Sequence, residues 1–133
     1  MRYLLDTNAL VDLLRGRAGR LADRIRARSP DEIGLSSIVL NELHYGVHRS
    51  LQPSRNAARV DGLRFEVVPF DKEDAVASGE IRAALSKAGV TIGAMDVLIA
   101  GQAVSRGLVL VTNNLREFRR VPGLAVEDWT AAG

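Results

Sequence analysis

The first fourteen residues, Met1-Arg2-Tyr3-Leu4-Leu5-Asp6-Thr7-Asn8-Ala9-Leu10-Val11-Asp12-Leu13-Leu14, decide the fold class. The short apolar run stops at Asp6, and Thr7 and Asn8 are favourable residues for capping a helix. Apolar side chains then recur at helical density. This order predicts a strand, a tight turn and a helix.

The same alternation continues along the chain. Apolar runs predict further strands, and capped segments with helical periodicity predict further helices. The predicted strands are 33–36, 65–69, 108–112 and 124–126, and the predicted helices are 18–28, 37–50 (capped by Ser37), 53–62, 71–88 and 94–106. Strands that alternate with helices favour an α/β fold, with a mainly parallel sheet of about five strands flanked by helices in one domain, 1–133. The strand 108–112 is the most apolar and is expected in the middle of the sheet.

Composition excludes several classes of protein. The chain has 133 residues and no cysteine, so disulfides, thiolate catalysis and cysteine-bound zinc are excluded. Charges at Arg2 and Asp6 leave no room for the apolar core of a signal peptide. No uncharged stretch approaches the roughly 18 residues that a membrane span needs. We therefore expect a soluble cytoplasmic protein that does not enter a membrane.

Acidic and amide residues follow the predicted strands. Asp6 ends the first strand, Asp96 lies in the first turn of a helix before strand 108–112, and Asn113 and Asn114 follow Thr112. Ligands bind at the carboxyl ends of strands in such sheets. Helix capping by Asp6, a favourable helix dipole at Asp96 and a turn at the asparagines are the plain alternatives.

Glu42 is harder to explain as an ordinary surface residue. It shares a helix face with Ile38, Val39 and Tyr45, and this face is predicted to point to the core. A carboxylate is costly there unless a cation or a donor meets it. Together with Asp6 and Asp96, Glu42 would form an oxygen-only site of the kind that suits Mg²⁺ or Mn²⁺ and that hydrolyses phosphodiesters.

Four blocks follow one another along the chain: Leu4-Leu5-Asp6-Thr7-Asn8, Ser36-Ser37-Ile38-Val39-Leu40-Asn41-Glu42-Leu43 with Gly46, Asp96 with Ile99-Ala100, and Leu110-Val111-Thr112-Asn113-Asn114. A tail follows them, Arg116-Glu117-Phe118 with Arg120-Val121-Pro122-Gly123-Leu124 and Val126-Glu127-Asp128-Trp129. The four blocks resemble the signatures of PIN-domain nucleases, and the tail resembles that of VapC toxins. The resemblance covers essentially the whole chain.

The resemblance implies a PIN-like fold and a metal-dependent endoribonuclease, the toxin of a VapBC-type toxin–antitoxin pair. By position, Asp6, Glu42 and Asp96 match the acids that bind Mg²⁺ or Mn²⁺. Asn114 completes the catalytic set at a place where many PIN domains have a fourth aspartate. Because its amide supplies no charge, the number of metal ions that the site would bind stays open.

Supporting residues and partners also follow from the resemblance. Asn8 and Thr112 match residues that orient carboxylates or water, and Glu117 supplies a further acid near Asn114. The implied partners are RNA, with the anticodon region of initiator tRNA as one target, and a VapB-type antitoxin that covers the first two helices. A homodimer and a larger toxin–antitoxin assembly are implied as well.

Arginines supply a separate expectation of RNA binding. Sixteen of the 18 basic residues are arginine, and guanidinium groups suit contacts with phosphates. Arg15, Arg17 and Arg20 begin the densest run, for which a solvated helix face is the alternative. Of the aromatic residues, Tyr45 and Trp129 are expected to pack rather than to stack on bases.

Other classes of function fit less well. His44 and His48 have the spacing of a zinc pair but lie opposite Glu42 without a third ligand, so a surface location is preferred. A phosphatase or receiver domain would need a second acid at position 8 and a lysine at a strand end, and Asn8 and the two lysines do not supply them. A PIN-like module that has lost catalysis and binds RNA or a partner stays open as the alternative because of Asn114.

Overall fold

The computed structural model describes residues 1–17 and 19–130. The strands are short and the helices carry most of the chain. In chain order the elements are β1 (Tyr3–Leu5), α1 (Thr7–Leu14), α2 (Gly19–Arg26), a 3-10 turn (Pro30–Glu32), β2 (Ile33–Ser36), α3 (Ser37–Arg49), α4 (Pro53–Asp61), β3 (Glu66–Val68), α5 (Lys72–Lys87), α6 (Ala94–Arg106), β4 (Val109–Val111), α7 (Leu115–Phe118) and β5 (Val126–Glu127).

The five strands form one sheet in the order β3-β2-β1-β4-β5, and every pairing is parallel. This confirms the predicted fold class. β1 is the central strand and its three residues are buried. β4, which was predicted for the middle of the sheet, is an interior strand between β1 and β5. Leu5 is level with Leu35 on one side and with Val111 on the other. The residues that follow these strands therefore meet at one edge of the sheet.

The residue that caps α3 differs from the prediction. Ser36, and not Ser37, caps it, because the Ser36 hydroxyl oxygen accepts the N–H of Ile38 at 3.0 Å. Asp6, one of the caps that the sequence offered beside Thr7 and Asn8, caps α1. In both cases the residue directly after the apolar run supplies the cap. The final strand also begins later than predicted, at Val126.

Helices α5 and α6 cross at very close range. Gly101 of α6 faces Ser78 of α5, and a Cβ atom at position 101 would lie 2.4 Å from the Ser78 Cβ. Near this crossing Asp74 is fully buried and accepts hydrogen bonds from Arg106 and Ser105. Burial raises the pKa of Asp74, but these hydrogen bonds outweigh it and the pKa is lowered. The carboxylate therefore stays ionised and holds the two helices together.

Trp129 packs the end of the described chain against the sheet. Its buried ring meets Tyr3 edge-on with 4.9 Å between ring centroids, and the Arg28 guanidinium lies 4.3 Å from the Trp129 ring centroid. The packing role predicted for Trp129 is confirmed. The same prediction is wrong for Tyr45, which is 63% exposed because the buried row of α3 is Val39, Leu43 and Val47, and Tyr45 lies outside it. No helix within the described residues has the length and apolar composition that a membrane crossing requires.

Candidate functional site

The strand-end residues surround one small cleft. Its volume is about 220 Å³, and among the described residues it is lined by Asp6, Thr7, Asn8, Glu42, Asp96, Asn114 and Phe118. The sequence predicted most of this set, from segments far apart in the chain. The lining contains carboxylates and amides but no lysine or arginine. The cleft is therefore a negatively charged site that is open to a cation.

Asp6 has two roles that the sequence presented as alternatives. Its Oδ1 accepts the N–H of Ala9 at 2.9 Å and so caps α1, while its Oδ2 accepts the Thr112 hydroxyl at 2.5 Å. Burial raises the pKa of Asp6, and repulsion from Glu42 and Asp12 adds to this rise, while the hydrogen bonds from Thr112 and Ala9 lower it. Capping thus fixes the carboxylate at the cleft.

Glu42 is half-buried at the border between the core and the cleft. Its Oε1 accepts the Thr7 hydroxyl at 2.7 Å. This contact joins the start of α1 to α3, 35 residues along the chain. The donor that Glu42 requires on an otherwise apolar face is therefore Thr7, for which the sequence predicts helix capping but no contact with Glu42.

Asp96 shares its surroundings with Glu117. Burial, hydrogen bonding and repulsion from Glu117, and then repulsion from Glu42 and Asp6 raise the pKa of Asp96 to about 7. Gly93 leaves room for this carboxylate, because a Cβ atom at position 93 would lie 3.0 Å from Asp96 Oδ2. Asp96 is thus the group on which the crowding of negative charge has the largest effect.

Glu117 does not line the cleft, but its hydrogen bonds position residues at the edge of it. Its Oε1 accepts the N–H of Gly93 at 2.8 Å, and its Oε2 accepts the side-chain amide of Asn114 at 2.6 Å. The main-chain N–H of Asn114 in turn donates to the Thr112 hydroxyl at 2.9 Å. Glu117 therefore joins the start of α6 to the segment after β4. Asn114 is held with its side chain at the cleft.

The donor set suits Mg²⁺ or Mn²⁺ better than a softer metal. Carboxylate and amide oxygens are the ligands these ions prefer, and burial, followed by repulsion from Glu117, Glu42 and Asp6, raises the pKa of Asp96. In residues 1–17 and 19–130, no three acidic or histidine side chains already stand close enough to enclose an ion. The carboxylates thus form an open set whose oxygens are engaged by Thr7, Thr112 and Ala9.

The predicted RNA-binding arginines lie away from the floor of the cleft. Arg15, Arg17 and Arg20 are exposed at the end of α1 and the start of α2. Arg15 also lines a groove of about 370 Å³ between α1, α3 and α4, to which Glu42 contributes. Val11, Leu14, Leu43 and Val47 supply the apolar part of this groove. The groove and the acidic cleft therefore share Glu42 in their linings.

Two cleft residues were missed by the sequence analysis. Thr7 holds Glu42, and Phe118 closes one wall through its buried ring. The signal that could have identified Thr7 was its hydroxyl group, which stands between Asp6 and Asn8 in the sequence. Its contact depends on how α1 and α3 pack, so periodicity alone does not reveal it.

Comparisons with known proteins agree along the whole chain. The PIN domain family model matches residues 3–124. A protein named tRNA(fMet)-specific endonuclease VapC from Salmonella typhimurium is 44% identical over 131 residues, which cover 97% of this chain and 98% of that protein. Its namesake from Shigella flexneri is 39% identical and covers 98% of this chain and 99% of its own length. The crystal structure of DNA-bound VapBC from Salmonella typhimurium contains a chain that superposes with a TM-score of 0.93 at 44% identity, with 97% of this chain and 98% of that chain covered.

Proposed function

The chain belongs to the PIN domain family and, within it, to the VapC ribonucleases, and on that premise we propose that it is a divalent-metal-dependent endoribonuclease toxin. The observation that carries the proposal is the cleft in which Asp6, Glu42, Asp96 and Asn114 meet. Carboxylates that crowd together in this way favour a bound cation.

Each residue of the cleft has a part in this proposal. Asp6, Glu42 and Asp96 would hold Mg²⁺ or Mn²⁺, which when bound lowers the pKa of water and offsets charge on a scissile phosphate. Thr112 orients the Asp6 carboxylate and Thr7 orients that of Glu42. Asn114, fixed by Glu117, presents a neutral amide to the reacting groups. No side chain in the cleft is a strong nucleophile, so hydrolysis by water is the reaction that fits.

The proposed substrate is RNA, with initiator tRNA as the specific target. Two whole-length relatives are named tRNA(fMet)-specific endonucleases, and the proposed cut lies in the anticodon region. Arg15, Arg17 and Arg20 are exposed and would contact phosphates without reading sequence. Cleavage of initiator tRNA would stop translation in the cytoplasm.

The proposed partner is a VapB-type antitoxin. The similar structure from Salmonella typhimurium is a VapBC complex bound to DNA. The groove between α1, α3 and α4 offers apolar side chains for an antitoxin segment and ends at Glu42. A homodimer that joins a larger toxin–antitoxin assembly completes the proposal.

Metal titration with an RNA-cleavage gel tests the proposed reaction. Fragments of initiator tRNA are expected to appear with added Mg²⁺ or Mn²⁺ and to disappear with a chelator, because water activation depends on the ion. The competing function, a PIN-like module that only binds RNA, would shift the RNA on the gel without fragments at every metal concentration. That result would refute the nuclease assignment.

Thr112→Val tests the positioning of Asp6. The variant keeps the size of the side chain but removes the donor to Asp6 and the acceptor for the Asn114 N–H. We expect about 10-fold slower cleavage and about 2 kcal/mol less free energy of unfolding. Because the Thr112 hydrogen bond lowers the pKa of Asp6, the acid limb of the pH–rate profile should move to higher pH.

Thr91→Val is the matched control, since Thr91 is exposed and lies outside the cleft. It should leave the rate, the pH profile and the urea midpoint unchanged. A Thr112 variant with an unaltered pH profile would show that the hydroxyl contributes to stability alone.

A further inference from the structure

Tyr45 stands apart from the other aromatic side chains. Its side chain is 63% exposed, whereas Tyr3, Phe118 and Trp129 are buried. Phe65 and Phe70, which complete the aromatic set, are half-buried. Single exposed apolar residues are common on protein surfaces, so exposure alone assigns Tyr45 no role. The position of Tyr45 relative to the acidic cleft is what indicates a role.

Tyr45 lies one turn along α3 from Glu42. Residues three apart in a helix are neighbours on its surface, and 1.5 Å of rise per residue separates these two by about 4.5 Å along the axis. Side chains lean towards the start of their helix, and Glu42 at the cleft is on that side of Tyr45. The ring therefore extends the row of side chains that begins at the cleft.

Arg49 completes this row. It lies four residues beyond Tyr45, its Nη1 donates to the Tyr45 hydroxyl at 3.2 Å, and its Cζ is 5.5 Å from the ring centroid. The pair fixes the orientation of the ring without burying it. Among the described residues no carboxylate forms an ion pair with Arg49. The guanidinium thus keeps its charge available to an anion.

An exposed ring beside an available cation is the combination with which proteins bind single-stranded nucleic acid. Bases stack on the ring whatever their identity, and the cation meets the backbone. Bases inside a duplex cannot stack on a protein side chain, because their faces are already covered by neighbouring base pairs. A site of this kind therefore distinguishes unpaired nucleotides from paired ones.

We propose that Tyr45 and Arg49 form a nucleotide subsite next to the cleft, in which an unpaired base flanking the scissile phosphate stacks on Tyr45 and its phosphate meets Arg49. The inference rests on the proposed function and names its substrate class as RNA with unpaired nucleotides at the cut. It also makes Tyr45 a determinant of binding with no part in the chemical step.

Binding of RNA without cleavage tests the subsite. Full-length Asp96→Asn protein, in buffer without divalent ions, is titrated into a fluorescein-labelled single-stranded RNA, and Kd is measured by anisotropy. Adding Tyr45→Leu should weaken binding about 10-fold, since loss of one stacked base has an effect of this size. Tyr45→Phe should recover most of the affinity, and Arg49→Gln should weaken binding and reduce its dependence on salt.

Val76→Ala on α5 is the control, because Val76 is also an exposed apolar residue but does not line the cleft. It should leave Kd unchanged. In the cleaving protein, Tyr45→Leu should raise KM about 10-fold and change kcat little, and a fully duplex RNA should show no difference between the variants.

Equal affinity of Tyr45→Leu and its parent for single-stranded RNA would overturn the inference. So would a Tyr45→Leu variant whose RNA binding is normal but whose dimer or antitoxin complex is lost by light scattering, because the ring would then be a protein contact. If the unaltered chain cleaves no RNA with any metal while the Tyr45 effect on Kd persists, the proposed reaction fails and the subsite stands.

Discussion

Asp96→Asn is expected to cleave RNA at least about 100-fold more slowly than the unaltered chain and, without divalent ions, to be more stable than it at alkaline pH. The carboxylate lines the cleft with Asp6 and Glu42. Burial, Glu117 and these two acids together raise its pKa to about 7. Replacement by asparagine removes a ligand from the proposed metal site and also removes the repulsion. Activity and stability should therefore change in opposite directions.

The dependence of stability on pH gives this prediction a second readout. The folded chain keeps a proton on Asp96 up to a pH of about 7, whereas the unfolded chain releases it near 3.8. The contribution of Asp96 to stability is therefore lost as pH rises between these values and stays lost above them. Asparagine has no charge to lose, so the variant should avoid this decrease.

Thermal unfolding followed by circular dichroism at about pH 5 and about pH 8 measures this difference, alongside a cleavage gel. Asp31→Asn, which changes an exposed acid outside the cleft, is the control and should match the unaltered chain in both assays. Retention of normal cleavage by Asp96→Asn would remove Asp96 from the site. Equal pH dependence of unfolding in the two proteins would show that the negative charge of Asp96 does not destabilise the folded chain.

Gly101→Ala is expected to lower the free energy of unfolding by about 3 kcal/mol or more, the upper end of the range for overpacking. The added methyl group would lie 2.4 Å from the Ser78 Cβ and 2.6 Å from the Ser78 Cα and N. Main-chain atoms cannot rotate away as a flexible side chain can, so α5 and α6 would have to separate. Urea denaturation measures the change as a lower midpoint.

Gly79→Ala is the matched control because Gly79 follows Ser78 in the same helix but has no atom within 4 Å of a Cβ added there. Alanine in an open helical position should raise the free energy of unfolding by about 0.5–1 kcal/mol. The two substitutions are chemically identical and have opposite expected signs. Equal midpoints for both variants would mean that the helices are not in close contact at Gly101.

The elements of the fold could be predicted because their signals are local. The apolar run at Tyr3–Leu5 and the periodic residues after it are sufficient to predict a strand and a helix. The cap of α3 was misplaced by one residue, at Ser37 instead of Ser36, because neighbouring serines offer equally good capping groups. Apolar content indicated that β4 lies inside the sheet, where it is paired with β1 and β5, but did not reveal that β1 is the central strand.

The sequence predicted which residues belong to the candidate site better than it predicted the hydrogen bonds between them. Asp6, Glu42, Asp96 and Asn114 were identified from strand ends and from resemblance, and the structure places them around one cleft. The Thr7–Glu42 and Thr112–Asp6 hydrogen bonds span 35 and 106 residues, so they depend on tertiary packing. The exposure of Tyr45 was missed for a related reason, because the packing of α3 buries the row of Val39, Leu43 and Val47 and leaves Tyr45 outside it.

The central place of β1 has a consequence for the order in which the cleft is completed during synthesis. β1 is synthesised early, but one of its two neighbours in the sheet is β4, more than a hundred residues later, and long-range pairing of this kind forms slowly. Asp96 and the Thr112 that orients Asp6 arrive with that late segment. Most of the polypeptide must therefore be made before the acidic cleft is complete.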